Sequence, residues 1–241
     1  MWEARIDGRP LRFRLTGINN QNFIMRDGET GSWWQQVTGE AIQGPLRGKR
    51  LEAVFCDEVS FAIWRRETPQ GRVLRPDERM SDRYAPPDWE DHLATLPVVT
   101  ASDPADPFAP RTLVAGVSVN GESRAYPLRE LQAERLILDR VGGVPLFVVI
   151  GGDDASVRAF DRRVDGRELE FFASRSDSIP PGSPLHLLDG ETGSTWDFTG
   201  AAVRGPLSGK QLTKIAVMRE YWFDWRIYHP QATAYAPGPR H

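Results

Sequence analysis

The amino-acid sequence predicts a mainly β fold of the α+β kind, with antiparallel sheets, a few short helices and an internal pseudo-repeat. Two observations support this prediction. A segment of about two dozen residues occurs twice. Alternating apolar and polar runs are joined by Asp-Gly and Asn-Gly pairs, which are the strongest short-range signals of β-hairpins.

The duplicated segment reads DGETGSWWQQVTGEAIQGPLRGKRL at residues 27–51 and DGETGSTWDFTGAAVRGPLSGKQL at residues 189–212. Sixteen positions are identical when a gap of one residue is placed after Asp197. Such dense identity indicates a duplicated structural unit. We expect one compact unit with three parts: a partial first repeat (residues 1–75), a linker (76–112) and a more complete second repeat (113–241).

Hairpin signals precede both copies of the segment. Asp7-Gly8 separates two alternating runs in the first repeat, and Asp165-Gly166 does the same in the second. In each DGETGS turn the leading aspartate can accept backbone N–H bonds, and the second glycine can supply a positive φ. The pattern around the first copy predicts strands at residues 23–26, 33–37 and 51–55.

Helical spacing follows each copy and predicts short helices over residues 57–66 and 220–228, the second ended by Pro230. The linker is rich in proline and charge without a sustained period, so it is predicted to be irregular. The region after it predicts a helix over residues 128–135 and strands at 113–119, 136–141 and 145–150. The last of these (PLFVVI) is the most apolar and is predicted to be central in its sheet.

Composition excludes several classes of function. The net charge of −3 is spread over both signs, without the basic stripe that nucleic-acid binding needs. No apolar run approaches the ~20 residues of a membrane span. Cys56 is the single cysteine, so we expect neither an iron–sulfur cluster nor a haem, and no phosphate-binding loop that would indicate a nucleotide. Without a signal peptide at Met1, a cytoplasmic location is expected, with export of a longer form as the alternative. The oligomeric state is left open.

Several segments together resemble a bacterial family known as domain of unknown function 3179. They are VAGVSVNGESRAYPLRELQAERLILDRVGGVPLFVVI, FDRRVDGRELEF, WRIYHP and both DGETGS segments. The resemblance implies possible metal or redox ligands, because members carry Cys-Pro-x-Cys-Gly before the FDRR strand and Trp-His-Glu after the AYPLR helix. Here Gly151 and Asp154 replace the cysteines, and Ala133, Glu134 and Arg135 replace Trp-His-Glu. A cysteine-based role is therefore not expected.

Acidic clusters are the remaining candidates for chemistry. They pair Asp27 with Glu29, Asp189 with Glu191, and Asp153 with Asp154. Oxygen ligands without cysteine favour Ca²⁺ or another hard divalent cation. The alternative is that the aspartates only cap turns while the glutamates face water. The candidate catalytic residues are Asp27, Glu29, Asp189, Glu191 and His186, the last as a general base if it faces a pocket beside Asp189.

Two functions remain open. The first is a non-catalytic module that binds a small molecule or partner in a polar groove lined by tryptophan. Its candidate residues are Asn19, Asn20, Asn22, Trp33, Trp34, Gln35 and Trp196. The second is a hydrolase of small esters or lactones, in which the acidic turns hold Ca²⁺ to polarise a carbonyl and activate water. Binding is favoured because the sequence contains no complete catalytic constellation.

Overall fold

The computed structural model describes residues 1–19, 22–100, 103–173 and 185–237 of the chain. The fold is mainly β, with short helices between several antiparallel sheets. This confirms the prediction of a mainly β fold with antiparallel sheets and a few short helices. Asn20 lies outside the described residues.

The first repeat forms a small hairpin and a four-stranded sheet. The hairpin turns at Asp7 and Gly8, whose φ angles of 47° and 77° are both positive, as a tight two-residue turn requires. The strands are β1 (Arg5–Ile6), β2 (Arg9–Pro10), β3 (Phe13–Asn19), β4 (Asn22–Asp27), β5 (Trp33–Gln35) and β6 (Ala41–Gln43). The predicted strand at residues 51–55 is wrong. Only an isolated bridge joins Ala53 to Trp2, because the opposing chain turns away into β1.

Three short helices follow, two of them in the predicted linker. They are α1 (Phe61–Glu67), a 3-10 helix (Glu78–Arg83) and α2 (Trp89–Thr95). The irregular linker predicted for residues 76–112 is therefore wrong in part. The Asp77 side chain caps the 3-10 helix, and Glu90 and Asp91 lie in the first turn of α2, where acidic groups favour the helix dipole. Capping and first-turn charges are local contacts, so these two helices lack the long apolar repeat by which a helix is recognised in a sequence.

The middle of the chain supplies the most buried strands. Its elements are β7 (Leu113–Val119), β8 (Glu122–Pro127), α3 (Leu128–Glu134), β9 (Leu136–Val141), β10 (Val144–Ile150) and β11 (Val157–Asp161). The sheet order is β9-β10-β11 and then a later strand, so β10 is interior. Residues 145–150 are buried throughout, which confirms the prediction of a central strand.

The second repeat ends with another sheet, a strand pair and a helix. Its remaining elements are β12 (Arg163–Val164), β13 (Arg167–Glu168), β14 (Phe171–Ala173), β15 (His186–Asp189), β16 (Thr195–Asp197), β17 (Ala202–Arg204), β18 (Lys214–Ile215), β19 (Val217–Tyr221), α4 (Trp222–Tyr228) and β20 (Thr233–Ala234). Strand β18 completes the β9-β10-β11 sheet, whereas β19 and β20 flank β7 and β8. Helix α4 begins later than predicted because residues 217–221 pair with β7.

The two DGETGS segments form sheets with matching hydrogen bonds. The strand orders are β3-β4-β5-β6 and β14-β15-β16-β17. The indole N–H of Trp34 donates to Asp27 at 2.8 Å, and that of Trp196 donates to Asp189 at the same distance. Each aspartate thus fixes a tryptophan beneath its own turn.

The helix after each segment contacts the other repeat. Ile63 of α1 lies in the core that contains Phe198 and Phe160 of the second repeat. Asp224 of α4 accepts a hydrogen bond from Asn22 of the first repeat at 2.5 Å. We call this arrangement the helix exchange. It brings residues from both repeats together at α4.

Candidate functional site

Helix α4 is fixed to β7 by two tryptophans. Trp222 and Trp225 pack with Val114 and Ala125 in a buried cluster. The ring of Trp225 lies directly over Gly116, where an added Cβ would be 2.3 Å from the ring. Only glycine admits this close approach, so the position of α4 depends on Gly116.

Two acidic side chains share the buried side of α4. Burial, the nearby charge of Asp224 and the hydrogen bond between the two carboxyl groups together raise the pKa of Glu220 to about 8. Burial also raises the pKa of Asp224, although its bonds to Glu220 and Asn22 act in the opposite direction. The pair therefore retains a proton near neutral pH, because two adjacent buried carboxylates repel each other.

His229 follows directly after α4 and is held in one tautomer. Its ring stacks on Trp225 with a centroid distance of 3.7 Å, and Nδ1 lies 3.0 Å from the Trp225 carbonyl oxygen. A carbonyl can only accept, so Nδ1 carries the proton and Nε2 presents a lone pair in the neutral ring. Burial lowers the pKa of His229, which favours this neutral form.

A cleft of about 410 Å³ opens beside His229. Its wall combines the β7–β8 turn, the β9–β10 hairpin and the chain after α4. The polar side chains that line it include Glu122, Ser123, Arg124, Arg140, Tyr228, His229 and Thr233. Tyr228 and His229 also line a much smaller cavity that contains Glu220 and Asp224. Tyr228 and His229 therefore lie between the cleft and the carboxyl pair.

Arg124 is held rigidly in the cleft wall. Its Nη1 donates to both carboxylate oxygens of Asp139 at 2.7 Å, and its Nε donates to Thr233 at 2.9 Å. Burial raises the pKa of Tyr126, whose hydroxyl stays protonated and donates to Asp139 at 2.8 Å. Among the described residues, Arg124 Nη2 has no partner. It can donate to an acceptor in the cleft.

The sequence pattern of a family described as protein of unknown function (DUF3179) matches residues 1–232. The chain belongs to this family. The resemblance predicted from the sequence is thereby confirmed. No curated protein and no solved structure matches the chain.

In this DUF3179 chain, the two segments implied to carry ligands do lie together. Arg135, at the end of α3, pairs with the Asp154 carboxylate and donates to the Gly151 carbonyl at 2.7 Å. An arginine–aspartate ion pair thus occupies the place where the resemblance implied soft ligands. Asp153, the other member of that acidic cluster, accepts bonds from Ser156 N at 3.1 Å and Ser156 Oγ at 2.6 Å.

The predicted acidic turns use their oxygens within the turn. Asp27 accepts from Thr30 N at 2.5 Å, Gly31 N at 3.1 Å and the Trp34 indole. Burial alone would raise the pKa of Asp27, but the bonds from Trp34, Thr30 and Gly31 lower it. The Asp189 carboxylate accepts from Thr192 N, Thr192 Oγ1 and the Trp196 indole, whereas Gly193 N donates to the Asp189 carbonyl oxygen at 3.0 Å. These contacts leave few lone pairs for a cation.

The two predicted glutamates accept hydrogen bonds from the residues just before strands β3 and β14. Glu29 accepts from Arg12 N at 2.8 Å and Arg12 Nε at 2.7 Å. Glu191 accepts from Glu170 N at 2.9 Å. They neither face water alone nor converge on an ion. Across the described ranges, no group of three or more His, Cys, Asp or Glu side chains is arranged to hold a metal.

His186 does not reach Asp189. It pairs across strands with Asp197, and its buried Nδ1 has no hydrogen-bond partner among the described residues. Asp189 is buried beneath its turn with Trp196. In the described part of the chain, His186 and Asp189 therefore share no hydrogen bond, and the condition for His186 as a general base beside Asp189 is not met.

The predicted tryptophan groove is divided between different places. Trp34 and Trp196 are fully buried in two separate cores, so neither lines an open groove. Trp33 is half-buried, and Asn19 is exposed at the end of β3. Only Asn22 and Gln35 reach α4, where Gln35 donates to the Tyr228 hydroxyl at 3.4 Å.

The sequence did contain a signal for the residues that were missed. Aligning the two repeats places Asp224 opposite Ile63 and Glu220 opposite Val59. Apolar residues of the first repeat are thus replaced by acids, once within the helix and once just before it. Such a replacement at core positions indicates a special role, because burying a carboxyl group is costly. Arg124 and Thr233 had no comparable signal, since they meet only through the pairing of β20 with β8.

One further observation concerns membranes. None of the helices within the described residues has the length and apolar character to span a bilayer.

Proposed function

We propose that this protein binds a small polar molecule in the cleft beside His229. One observation carries the proposal: the cleft has the volume of a small-molecule site and its polar walls are fixed in advance by bonds to the fold. Side chains that are already ordered lose little entropy when a ligand binds. This proposal refines the binding function predicted from the sequence and moves its site from the tryptophan groove to the cleft.

The lining residues favour a ligand that carries a carboxylate and a hydroxyl group. Arg124 offers Nη2 donors with no protein partner in the described part of the chain. An arginine guanidinium recognises carboxylate oxygens strongly and with defined geometry. Neutral His229 has an acceptor at Nε2, which suits a hydroxyl donor. A small hydroxy acid would satisfy both groups at once.

Thermal melts against a panel of small hydroxy acids would test this proposal, with the matching alcohols and amides as controls. A ligand that binds only the folded state raises the melting temperature as its concentration rises. We expect a rise with acids and none with amides. Calorimetry on the best acid should then show binding weakened about tenfold or more in Arg124→Lys, which keeps the charge but loses the planar fork.

Two further variants complete the design. His229→Phe keeps the stacking on Trp225 and removes the acceptor, so it should also weaken binding. Arg167→Gln removes an exposed arginine in the β12–β13 hairpin, outside the cleft, and should bind like the wild type. If no acid in the panel binds, or if all three variants behave alike, the proposal is wrong.

The second candidate is the hydrolase of small esters or lactones. The observation that favours it is that Glu220, Asp224 and His229 line one small cavity, because an acid and a base side by side can act in hydrolysis. Colorimetric ester and lactone assays with and without Ca²⁺ would test it. We would expect turnover that is lost in Asp224→Asn and retained in Arg167→Gln.

A further inference from the structure

The first repeat has an apolar face that its counterpart in the second repeat does not expose. Leu15, Ile18 and Phe23 lie on strands β3 and β4 and are 60%, 67% and 47% exposed. Ile18 and Phe23 are direct cross-strand partners, and Leu15 pairs with Met25. Direct partners point to the same side of a sheet. We call Leu15, Ile18 and Phe23 the open face.

The second repeat shows what covers the equivalent positions. Alignment of the two sheets places Ala173 opposite Leu15 and Leu185 opposite Phe23. Both residues pack against a core that includes Phe147 of β10, and Leu138 of β9 packs against the same core. The β9–β10 hairpin therefore lies over the face in the second repeat that is open in the first.

An unpaired strand edge lies next to the open face. Trp2 bridges Ala53, while Glu3 N donates to Glu52 O and Val54 N donates to Met1 O. In this pattern the N–H and C=O of Trp2 point away from Ala53. Neither group has a backbone partner among the described residues.

Trp2 matches Phe160 of β11 in several contacts. The Trp2 ring lies over Gly39, and the Phe160 ring lies over the equivalent Gly200. On its other side Phe160 pairs with Phe147 of β10. The edge that Trp2 leaves open is thus the edge that β10 occupies in the second repeat.

We propose that the open face and the Trp2 edge form a docking site for a two-stranded β-hairpin from another polypeptide. One strand would pair with the Trp2 edge, and its apolar side chains would cover Leu15, Ile18 and Phe23. Such strand addition combines main-chain hydrogen bonds with side-chain pockets. The β9–β10 hairpin of this chain is the pattern for the partner. That hairpin cannot come from a folded second copy, because there β10 is already held between β9 and β11.

A hairpin peptide with the sequence of residues 135–150 (RLILDRVGGVPLFVVI), fused to a soluble carrier, is the probe. We expect saturable binding to the intact chain, measured by surface-based interferometry. Hydrogen exchange should show new protection at the Trp2 amide and in β3. Leu15→Asp and Phe23→Asp should each weaken binding about tenfold or more, since each places a charge under an apolar partner.

The controls use exposed apolar residues of the second repeat. Leu188→Asp and Val203→Asp alter side chains that are 43% and 49% exposed and lie outside the open face, so binding should be unchanged. A carrier fusion with Leu138→Asp and Phe147→Asp in the peptide should not bind. Circular dichroism of every variant would verify that it is folded.

Three results would overturn the proposal. The first is the absence of saturable binding to the folded wild-type chain. The second is loss of protection in β9 and β10 without new protection at Trp2, which would mean that the peptide replaces strand β10 in its own sheet. The third is a dimer of the wild-type chain that becomes monomeric in Leu15→Asp, because a second copy would then cover the open face.

Discussion

The helix exchange places two equivalent helices in chemically different contacts. Helix α1 meets the second repeat through Ile63 in an apolar core, and its end is held by Arg158, which pairs with Glu67 at 2.7 Å and Asp57 at 2.8 Å. Helix α4 meets the first repeat through Asp224 and the amide of Asn22. The same backbone arrangement therefore serves for packing at one end and holds titratable groups beside a cleft at the other. The α1 contact thus contributes to stability, whereas the α4 contact contains groups that can take part in binding or proton transfer.

The largest expected loss of stability follows from a substitution that breaks the α1 contact. Arg158 is almost fully buried, and its guanidinium also lies 4.6 Å from the Phe198 ring. Arg158→Met would remove the guanidinium that pairs with Glu67, while Asp57 would keep its ion pair with Lys214 at 2.5 Å. Removing one member of a buried ion pair costs about 3–5 kcal/mol. Urea denaturation should report a loss of that size, and Arg167→Gln, at an exposed site, should stay within about 0.5 kcal/mol of wild type. A loss below 1 kcal/mol would mean that Arg158 does not anchor α1.

The next effect compares the two DGETGS turns. Asp27→Asn and Asp189→Asn each remove the charge that accepts the indole and backbone N–H bonds, so each should lower the free energy of unfolding by about 1.5–3 kcal/mol. Because those bonds already use the carboxylate oxygens, Ca²⁺ should not change the wild-type melting temperature. A rise with Ca²⁺ that vanishes in either variant would show instead that the turns hold the ion.

A smaller loss of stability is expected from a substitution that disturbs the packing of α4. Gly116→Ala would push a methyl group into the Trp225 ring, and overpacking of this kind costs about 1–3 kcal/mol. The shift of α4 should also reduce hydroxy-acid binding in the cleft. Gly17→Ala is the matched control, because nothing lies within 4 Å of its added Cβ. Equal losses in the two variants would contradict the close fit described for Gly116.

The smallest expected effect is on the pH dependence of the melting temperature. The raised pKa of Glu220, about 8 against an ordinary 4.5, means that the folded state binds more protons than the unfolded state between these values. Stability from this group is present below pH 4.5 and is lost as pH rises toward 8. Glu220→Gln should therefore flatten the fall in melting temperature between pH 5 and pH 8, and raise it by a few degrees at pH 8.

The equivalent position of the first repeat supplies the control for the pH experiment. Val59→Thr lies on the α1 side and adds no titratable group, so the wild-type pH slope should persist in it. If the melting temperature of Glu220→Gln falls with pH as steeply as that of the wild type, the carboxyl pair does not couple folding to proton binding.

Local features of the fold followed from the sequence, whereas the site did not. The Asp7-Gly8 and Asn120-Gly121 turns and the buried strand β10 depend on neighbouring residues, so composition and alternation were sufficient to predict them. The helix exchange depends on contacts between residues far apart in the chain. Periodicity says nothing about which sheet a short helix covers. For the same reason the sequence did not reveal that the carboxyl groups of Glu220 and Asp224 meet beside the first repeat.

The acidic turns show how far residue type alone can predict a role. Asp27 and Asp189 were recognised as turn residues, and their hydrogen bonds agree with that interpretation. Their use as ion ligands remains a prediction, because residue type alone does not reveal whether a carboxylate already has partners.

The helix exchange also sets the order in which the chain can fold during synthesis. Asn22 and Asp224 are separated by 202 positions, and Arg158 is 91 positions from Glu67. The first sheet leaves the ribosome long before the helix that covers its end has been made. Closing such distant contacts is slow, and an uncovered sheet is prone to aggregation in the meantime. Nascent chains of this protein should therefore depend on chaperones until α4 has emerged.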